Sequence, residues 1–261
     1  MNCISVRNLN ISYGNLDIVK DLNLDIPKGK ITTIIGSNGC GKSTILKTIA
    51  RIIEPKSGDI YINDKNIKEQ NTKDLAKSMA VLPQSPQAPS GLTVEELISY
   101  GRFPHQRGFA KLTDKDKDVV TWALKSTGIE EFRERPIEAL SGGQRQRAWI
   151  AMALAQQTEI LILDEPTTYL DLAHQLEVLN LLEELNKKQG TTIVMVIHEL
   201  NNAARFADYM IGIKKGKLVC QGSAEEVMTK ENLKELFNID AEITKDPRHN
   251  KPVCITYDMV L

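Results

Sequence analysis

Ile31-Thr32-Thr33-Ile34-Ile35-Gly36-Ser37-Asn38-Gly39-Cys40-Gly41-Lys42-Ser43 begins as a strand and ends as a helix. Residues 31–35 are β-branched throughout, as in a strand buried on both faces. Ile45, Leu46, Ile49, Ile52 and Ile53 follow at helical spacing. Between them, residues 36–43 fit G-x-x-x-x-G-K-[ST] in the strand-to-helix context that this motif needs. Gly36, Gly39 and Gly41 let the backbone wrap a polyphosphate, with the N–H groups of the loop, Ser37, Asn38 and Cys40 included, pointing inward. The helix start at Lys42, Ser43 and Thr44 adds a partial positive charge. Lys42 brings a full charge to the β and γ phosphates, and Ser43 offers a hydroxyl to Mg²⁺. Neither Asn186-Lys187-Lys188-Gln189 nor Asn71-Thr72-Lys73-Asp74 is the Asn-Lys-Xaa-Asp string that reads guanine, which disfavours a GTPase and leaves the base otherwise open.

Residues 160–163 are an apolar strand that ends in Asp164-Glu165. In a parallel sheet, ligands sit at the carboxyl ends of strands. Asp164 is therefore a candidate for the Mg²⁺ shell, and Glu165 for orienting or deprotonating the attacking water. Two adjacent carboxylates before Pro166 also suit a helix cap. His198 ends the strand at 191–197, where an imidazole can contact the γ-phosphate or the water. Gln84 ends the strand at 79–82 and can reach metal or water. A histidine or glutamine at a strand end is also an ordinary structural residue.

Leu22, Leu24 and Ile26 alternate with Asn23 and Asp25, which reads as a half-buried strand. Residues 59–62 read as another strand, and 210–222 as a hairpin turning at Lys215-Gly216. From about 85 to 157 strand signals vanish and helical stretches take over (94–100, 114–126, 143–155), a helical insertion within an α/β domain. Strands at 160–163 and 191–197 with a helix at 173–188 imply a parallel sheet with right-handed crossovers. The last twenty residues are expected to form a short helix and a small strand. The charge-mixed run 111–118 reads as a solvated helix face.

The 261 residues carry 33 Lys and Arg against 34 Asp and Glu, a net charge of -1, so the chain lacks the cationic excess of a general nucleic-acid binder. Its longest apolar run, 148–155, is far short of a membrane span. The first residues lack the layout of a secretory signal. Cys3, Cys40, Cys220 and Cys254 are widely spaced, as free thiols of a reducing compartment. A cytosolic protein that reaches any membrane through a partner is the expectation.

Leu140-Ser141-Gly142-Gly143-Gln144 opens a helix, with Ser141 as N-cap and two glycines exposing backbone donors. It is a second anion-binding terminus, about a hundred residues from the first. With the loop 36–43, Gln84, residues 140–144, residues 160–165, Leu170-Asp171 and His198 in this order, the chain resembles the nucleotide-binding subunit of an ABC transporter over nearly its whole length. The resemblance implies an α/β P-loop NTPase: a RecA-like core and antiparallel β subdomain at about 1–84 and 158–240, a helical subdomain at about 85–157, and a tail at about 241–261. It also implies a head-to-tail homodimer in which Ser141, Gly142, Gly143 and Gln144 contact ATP held by the partner's loop. Tyr13 matches the aromatic that stacks on adenine, a position that a plain surface or core tyrosine also fits. Asp171 matches the residue that crosses the dimer interface, and Gln84 the residue that links the γ-phosphate site to the membrane subunit. Tyr169, where a small residue is frequent, and Glu199, where Asp is frequent, depart from the common pattern.

With no membrane segment, the resemblance implies separate polytopic permease subunits and, indirectly, a substrate-binding protein, at the cytoplasmic face of the cell membrane, with no nucleic acid. Gly101-Arg102-Phe103-Pro104-His105-Gln106, Thr167-Thr168-Tyr169-Leu170-Asp171 and Asp246-Pro247 with Pro252-Val253-Cys254-Ile255 are similar to importers of ferric siderophores, haem and cobalamin. The same strings also suit a helix edge, a turn and a tail without cargo meaning. An importer of another substrate, a non-transport ABC ATPase and a soluble P-loop kinase are the alternatives; a kinase has no need of residues 140–144. The helix start near 92–96 is a candidate for the groove that receives the permease. Cys40 lies in the loop, so alkylation is expected to inhibit and ATP to protect. Lys42→Ala is expected to weaken Mg–ATP binding and abolish turnover, checked by titration calorimetry and phosphate release.

Overall fold

Side-chain period and turn chemistry account for most of the elements. The computed structural model describes residues 1–106 and 111–260. Residues 107–110, inside the expected helical insertion, and 261, in the expected tail, lie outside the described residues. In chain order the elements are β1 (Asn2–Tyr13), β2 (Leu16–Pro27), β3 (Ile31–Ile35), α1 (Lys42–Ile49), β4 (Ser57–Ile62) and β5 (Lys65–Asn66). Then come α2 (Thr72–Ser78), β6 (Met79–Leu82), α3 (Val94–Ser99), α4 (Asp114–Ser126), α5 (Gly142–Ala155), β7 (Ile160–Asp164) and α6 (Leu172–Gln189). Last are β8 (Thr192–Val196), α7 (Leu200–Phe206), β9 (Tyr209–Lys214), β10 (Lys217–Gly222), α8 (Ala224–Val227), α9 (Lys230–Phe237), β11 (Ile239–Lys245) and β12 (Pro252–Met259). They form two compact units, residues 1–70 with 186–261, and residues 71–185. The helical stretch 85–157 falls inside the second unit, together with β6 and β7.

In the first unit, β2-β1-β4-β5 is an antiparallel sheet. Leu22, Leu24 and Ile26 are buried and Asn23 is exposed, as alternation requires. Along β1 the buried positions step from Val6 to Leu9, a break in alternation that coincides with a register shift against β2. β3 lies between β8 and β9, parallel to both, with β10 antiparallel on β9. All five residues of β3 and of β8 are buried, which fits their β-branched and aliphatic content.

Two expectations fail here for local reasons. The helix after the loop ends at Ile49, and Ile52 is 62 % exposed. Arg51 adopts a left-handed φ of 57°, while Arg51 N–H and Ile52 N–H return to Thr48 O and Lys47 O at 3.0 and 2.8 Å. That is a Schellman stop, here built without glycine. Among the described residues the last twenty hold no helix: β11 and β12 pair as an antiparallel hairpin. Asn238, left-handed at φ 57°, ends α9, and the period-2 pattern of Ile239, Ala241 and Ile243 then takes over.

In the second unit, β6 and β7 pair in parallel. Capping boxes at Thr93/Glu96, Thr113/Asp116 and Ser141/Gln144 start α3, α4 and α5. Asp116 does double duty. It sits in the charge-mixed run expected to be solvated, yet it is 7 % exposed. Its Oδ1 accepts from Arg102 Nε at 2.8 Å, and Arg102, 4 % exposed, also donates to Ala155 O at 2.7 Å and Gln157 Oε1 at 3.1 Å. A Cβ at Gly101 would come 2.1 Å from Met152 O. Gly101 and Arg102, read from sequence as marks of a cargo class, thus have a packing role.

Hydrogen bonds from Thr113, then from Arg102, hold the Asp116 carboxyl at about 2, below its ordinary 3.8. A depressed carboxylate contributes stability above its unfolded value and loses it as pH falls through the folded one. Urea midpoints are therefore expected to drop between pH 4 and 2, less steeply in Asp116→Asn. Arg102→Ala is expected to cost about 3 kcal/mol by leaving Asp116 buried without its cation.

Candidate nucleotide-binding site

The first unit carries the phosphate loop. It leaves the buried end of β3 through Gly36, at φ 151°, where a Cβ would lie 2.1 Å from Ile213 O; no side chain fits. Gly41, at φ 104°, caps α1. The first turn of α1 holds no acidic residue and has no capping side chain, so nothing local offsets the positive end of the helix. Lys42 is buried, and its Nζ donates to Gly36 O at 2.8 Å and Ser37 O at 3.0 Å. The loop thus holds its own cation in place. Gly216 N–H donates to Cys40 O at 2.9 Å, so the β9–β10 turn braces the loop from behind.

Register explains what else reaches this rim. β3 and β8 are parallel neighbours with Ile34 opposite Val196. Residue 36 and residue 198, each two positions further, therefore leave the sheet at the same carboxyl edge. His198 is exposed there, and Glu199 caps α7 by accepting from Asn202 N at 2.7 Å. Tyr13 ends β1 and is 51 % exposed, as a stacking platform requires.

The second unit carries the carboxylates. β6 and β7 pair with Leu82 opposite Leu163, so residues 84 and 165 emerge side by side. Gln84 Nε2 donates to Glu165 Oε2 at 2.5 Å, and Thr168 Oγ1 donates to the same oxygen at 3.0 Å. Glu165 is left-handed at φ 55°, a conformation that costs a non-glycine residue of order 1 kcal/mol and concentrates at functional sites. Asp164, at the last position of β7, is 4 % exposed. Thr168 was not singled out for chemistry in the sequence; a hydroxyl three residues after the carboxylate was the available signal. Among the described residues no cluster of three or more His, Cys, Asp or Glu side chains is arranged to hold a metal. Mg²⁺ takes most of its ligands from phosphates and water, so it needs few protein donors; Ser43 in the first unit and Asp164 in the second are each of a suitable type.

At the start of α5, Ser141 Oγ accepts from Gln144 N at 3.3 Å and Gln144 Oε1 accepts from Ser141 N at 3.0 Å. Asp171 starts α6: its Oδ1 accepts from His174 N at 2.9 Å and lies 2.7 Å from His174 Nδ1. Those two contacts hold its carboxyl below the ordinary range.

A family model described as ABC transporter matches residues 19–168. The chain belongs to this family. It is an ATP-binding-cassette ATPase with the P-loop NTPase fold. It is 65 % identical over 260 residues to the iron(3+)-hydroxamate import ATP-binding protein FhuC of Bacillus subtilis, covering 100 % of this chain and 97 % of that one. It is 50 % identical over 254 residues to the petrobactin import ATP-binding protein FpuD of Bacillus anthracis, covering 97 % and 93 %. Among solved structures it is similar to the ATP-binding cassette MJ0796, dimeric and bound to ADP and Pi in a post-hydrolysis state, with 29 % identity, a TM-score of 0.74, and 84 % and 98 % of the two chains covered. No helix among the described residues is long and apolar enough to cross a membrane.

Cys40 changes one expectation. It is 4 % exposed, and burial raises its thiol above the ordinary value despite Lys42 nearby. Thiolate and access are both scarce, so alkylation of Cys40 in the folded ATPase is expected to be slow. Maleimide labelling, read by mass spectrometry, should modify residue 40 at least about tenfold faster in urea than in buffer.

Proposed function

We propose that this ATPase powers import of a ferric hydroxamate siderophore as a homodimer bound to two permease subunits at the cytoplasmic face of the membrane, with a binding protein delivering the cargo. The observation that supports the cargo class is the 65 % identity, end to end, with an iron(3+)-hydroxamate import ATPase. A cassette does not touch cargo, so kinship rather than geometry supports that part.

Chemistry supports the hydrolytic roles. The loop amides of Gly36, Ser37, Asn38, Gly39, Cys40 and Gly41, with Lys42, Ser43 and Thr44, bind the phosphates, and Tyr13 stacks on adenine. Ser43, Asp164 and Gln84 are the residues that would hold Mg²⁺, which would supply positive charge to the phosphates. Glu165 orients and deprotonates the attacking water; Gln84 and Thr168 both donate to its Oε2. His198 steadies the γ-phosphate. Ser141, Gly142, Gly143 and Gln144 of one copy close on ATP held by the other, and Asp171 crosses between copies. ATP favours the closed dimer, and loss of the bridging phosphate releases it. The helix start near residues 92–96 faces the permease.

Glu165→Gln is expected to bind Mg–ATP, to lose at least about a hundredfold in turnover, and to accumulate as a nucleotide-loaded dimer on size exclusion. Turnover at the parent rate would remove Glu165 from the mechanism. For the cargo, ATPase activity with the cognate permease in vesicles is expected to rise when binding protein loaded with ferric hydroxamate is added. Stimulation by a different chelate class alone would replace the cargo assignment.

A further inference from the structure

His174 lies against the starts of both α5 and α6. Its backbone N–H and its Nδ1 both meet Asp171 Oδ1, which fixes the orientation of the ring as well as the first turn of α6. Asp171 accepts, so Nδ1 carries the proton that is shared with it. The same ring packs against Gly143 in the first turn of α5. A Cβ built on residue 143 would come 2.6 Å from His174 Cδ2, 3.0 Å from Cγ and 3.3 Å from Nε2. Gly143 is buried, and the contact exists because it has no side chain. The Ser141/Gln144 capping box encloses that glycine. Nearby, the backbone of Tyr169 is left-handed at φ 65°, so the segment before Asp171 is not a relaxed turn that would adopt this place by itself.

We propose that His174 is a positioning residue for ATP hydrolysis: through Asp171 on one side and Gly143 on the other, it couples the segment before α6 to the segment 141–144 so that the two close on nucleotide as one body. The inference rests on the reading that both segments act across the dimer. A site held loosely by even 1 Å loses rate steeply, so a residue that touches no nucleotide can still set turnover. The ring supplies two separable things, a donor for Asp171 and a packing surface for Gly143.

Three variants separate them. His174→Ala removes both. His174→Asn restores a donor near the place of Nδ1. His174→Phe keeps a flat ring without a donor. Each is measured for kcat and KM with Mg–ATP, for Kd of nucleotide at the single phosphate loop, and for melting temperature. His174→Ala is expected to lower kcat about tenfold, with nucleotide Kd within about twofold of the parent. His174→Asn is expected to recover most of the loss, and His174→Phe to recover less. Parent kcat and KM in His174→Ala would overturn the inference. So would a fall in kcat that tracks a fall in melting temperature and is not rescued by Asn, because a merely structural residue behaves that way. Failure of the parent reading looks different: Glu165→Gln loaded with Mg–ATP would then stay monomeric on size exclusion, whatever the His174 variants do.

Discussion

A triphosphate cannot be held by an ordinary loop, because four negative charges and many acceptor oxygens need donors that do not move. The chain meets this constraint by ending a fully buried strand in a glycine turn and starting a helix at once. The strand cannot shift, since all five residues of β3 are packed. Gly36 passes so close to Ile213 O that only backbone fits. The donors are therefore backbone groups attached to the core, and Lys42 is kept with them by two carbonyls of the same loop.

Parallel register then does the sorting. Residues two positions beyond paired strand positions leave the sheet together. This brings residue 198 to the rim that residue 36 starts, and residue 84 to residue 165. The strained backbone at Glu165 is held by the strand before it and by two hydrogen bonds to its carboxylate. Helix starts follow a second rule: Ser141, Asp171 and Glu199 each spend a side-chain oxygen on the first turn of a helix, which fixes where those segments point.

The strand-loop-helix of residues 31–49, the carboxylates after β7 and the cap at Ser141 were legible in sequence because period, glycine placement and capping residues are local signals. The family followed from the order of those motifs. The departures were those where a local signal is silent or shared. Arg51 ended a helix in a role that glycine usually fills, so Ile52 and Ile53 read as helix. The β11–β12 hairpin pairs consecutive strands, and the short alternation of Ile239, Ala241 and Ile243 directly after α9 is easily taken for a continued helix. Asp116 looked solvated because its partner, Arg102, lies outside its own helix. Cys40 looked reactive by position, whereas burial decides thiol chemistry. His174 carried no motif, and Thr168 stood in a string read for cargo kinship; their contacts arise from turn geometry and packing.

The most direct measurement is the structure of the chain crystallised with Mg²⁺ and a non-hydrolysable ATP analogue. The expected result is a triphosphate wrapped by the amides of residues 36–43, with Lys42 Nζ turned from Gly36 O and Ser37 O to the β and γ phosphates. A triphosphate bound elsewhere, with Lys42 still on its own carbonyls, would contradict the account.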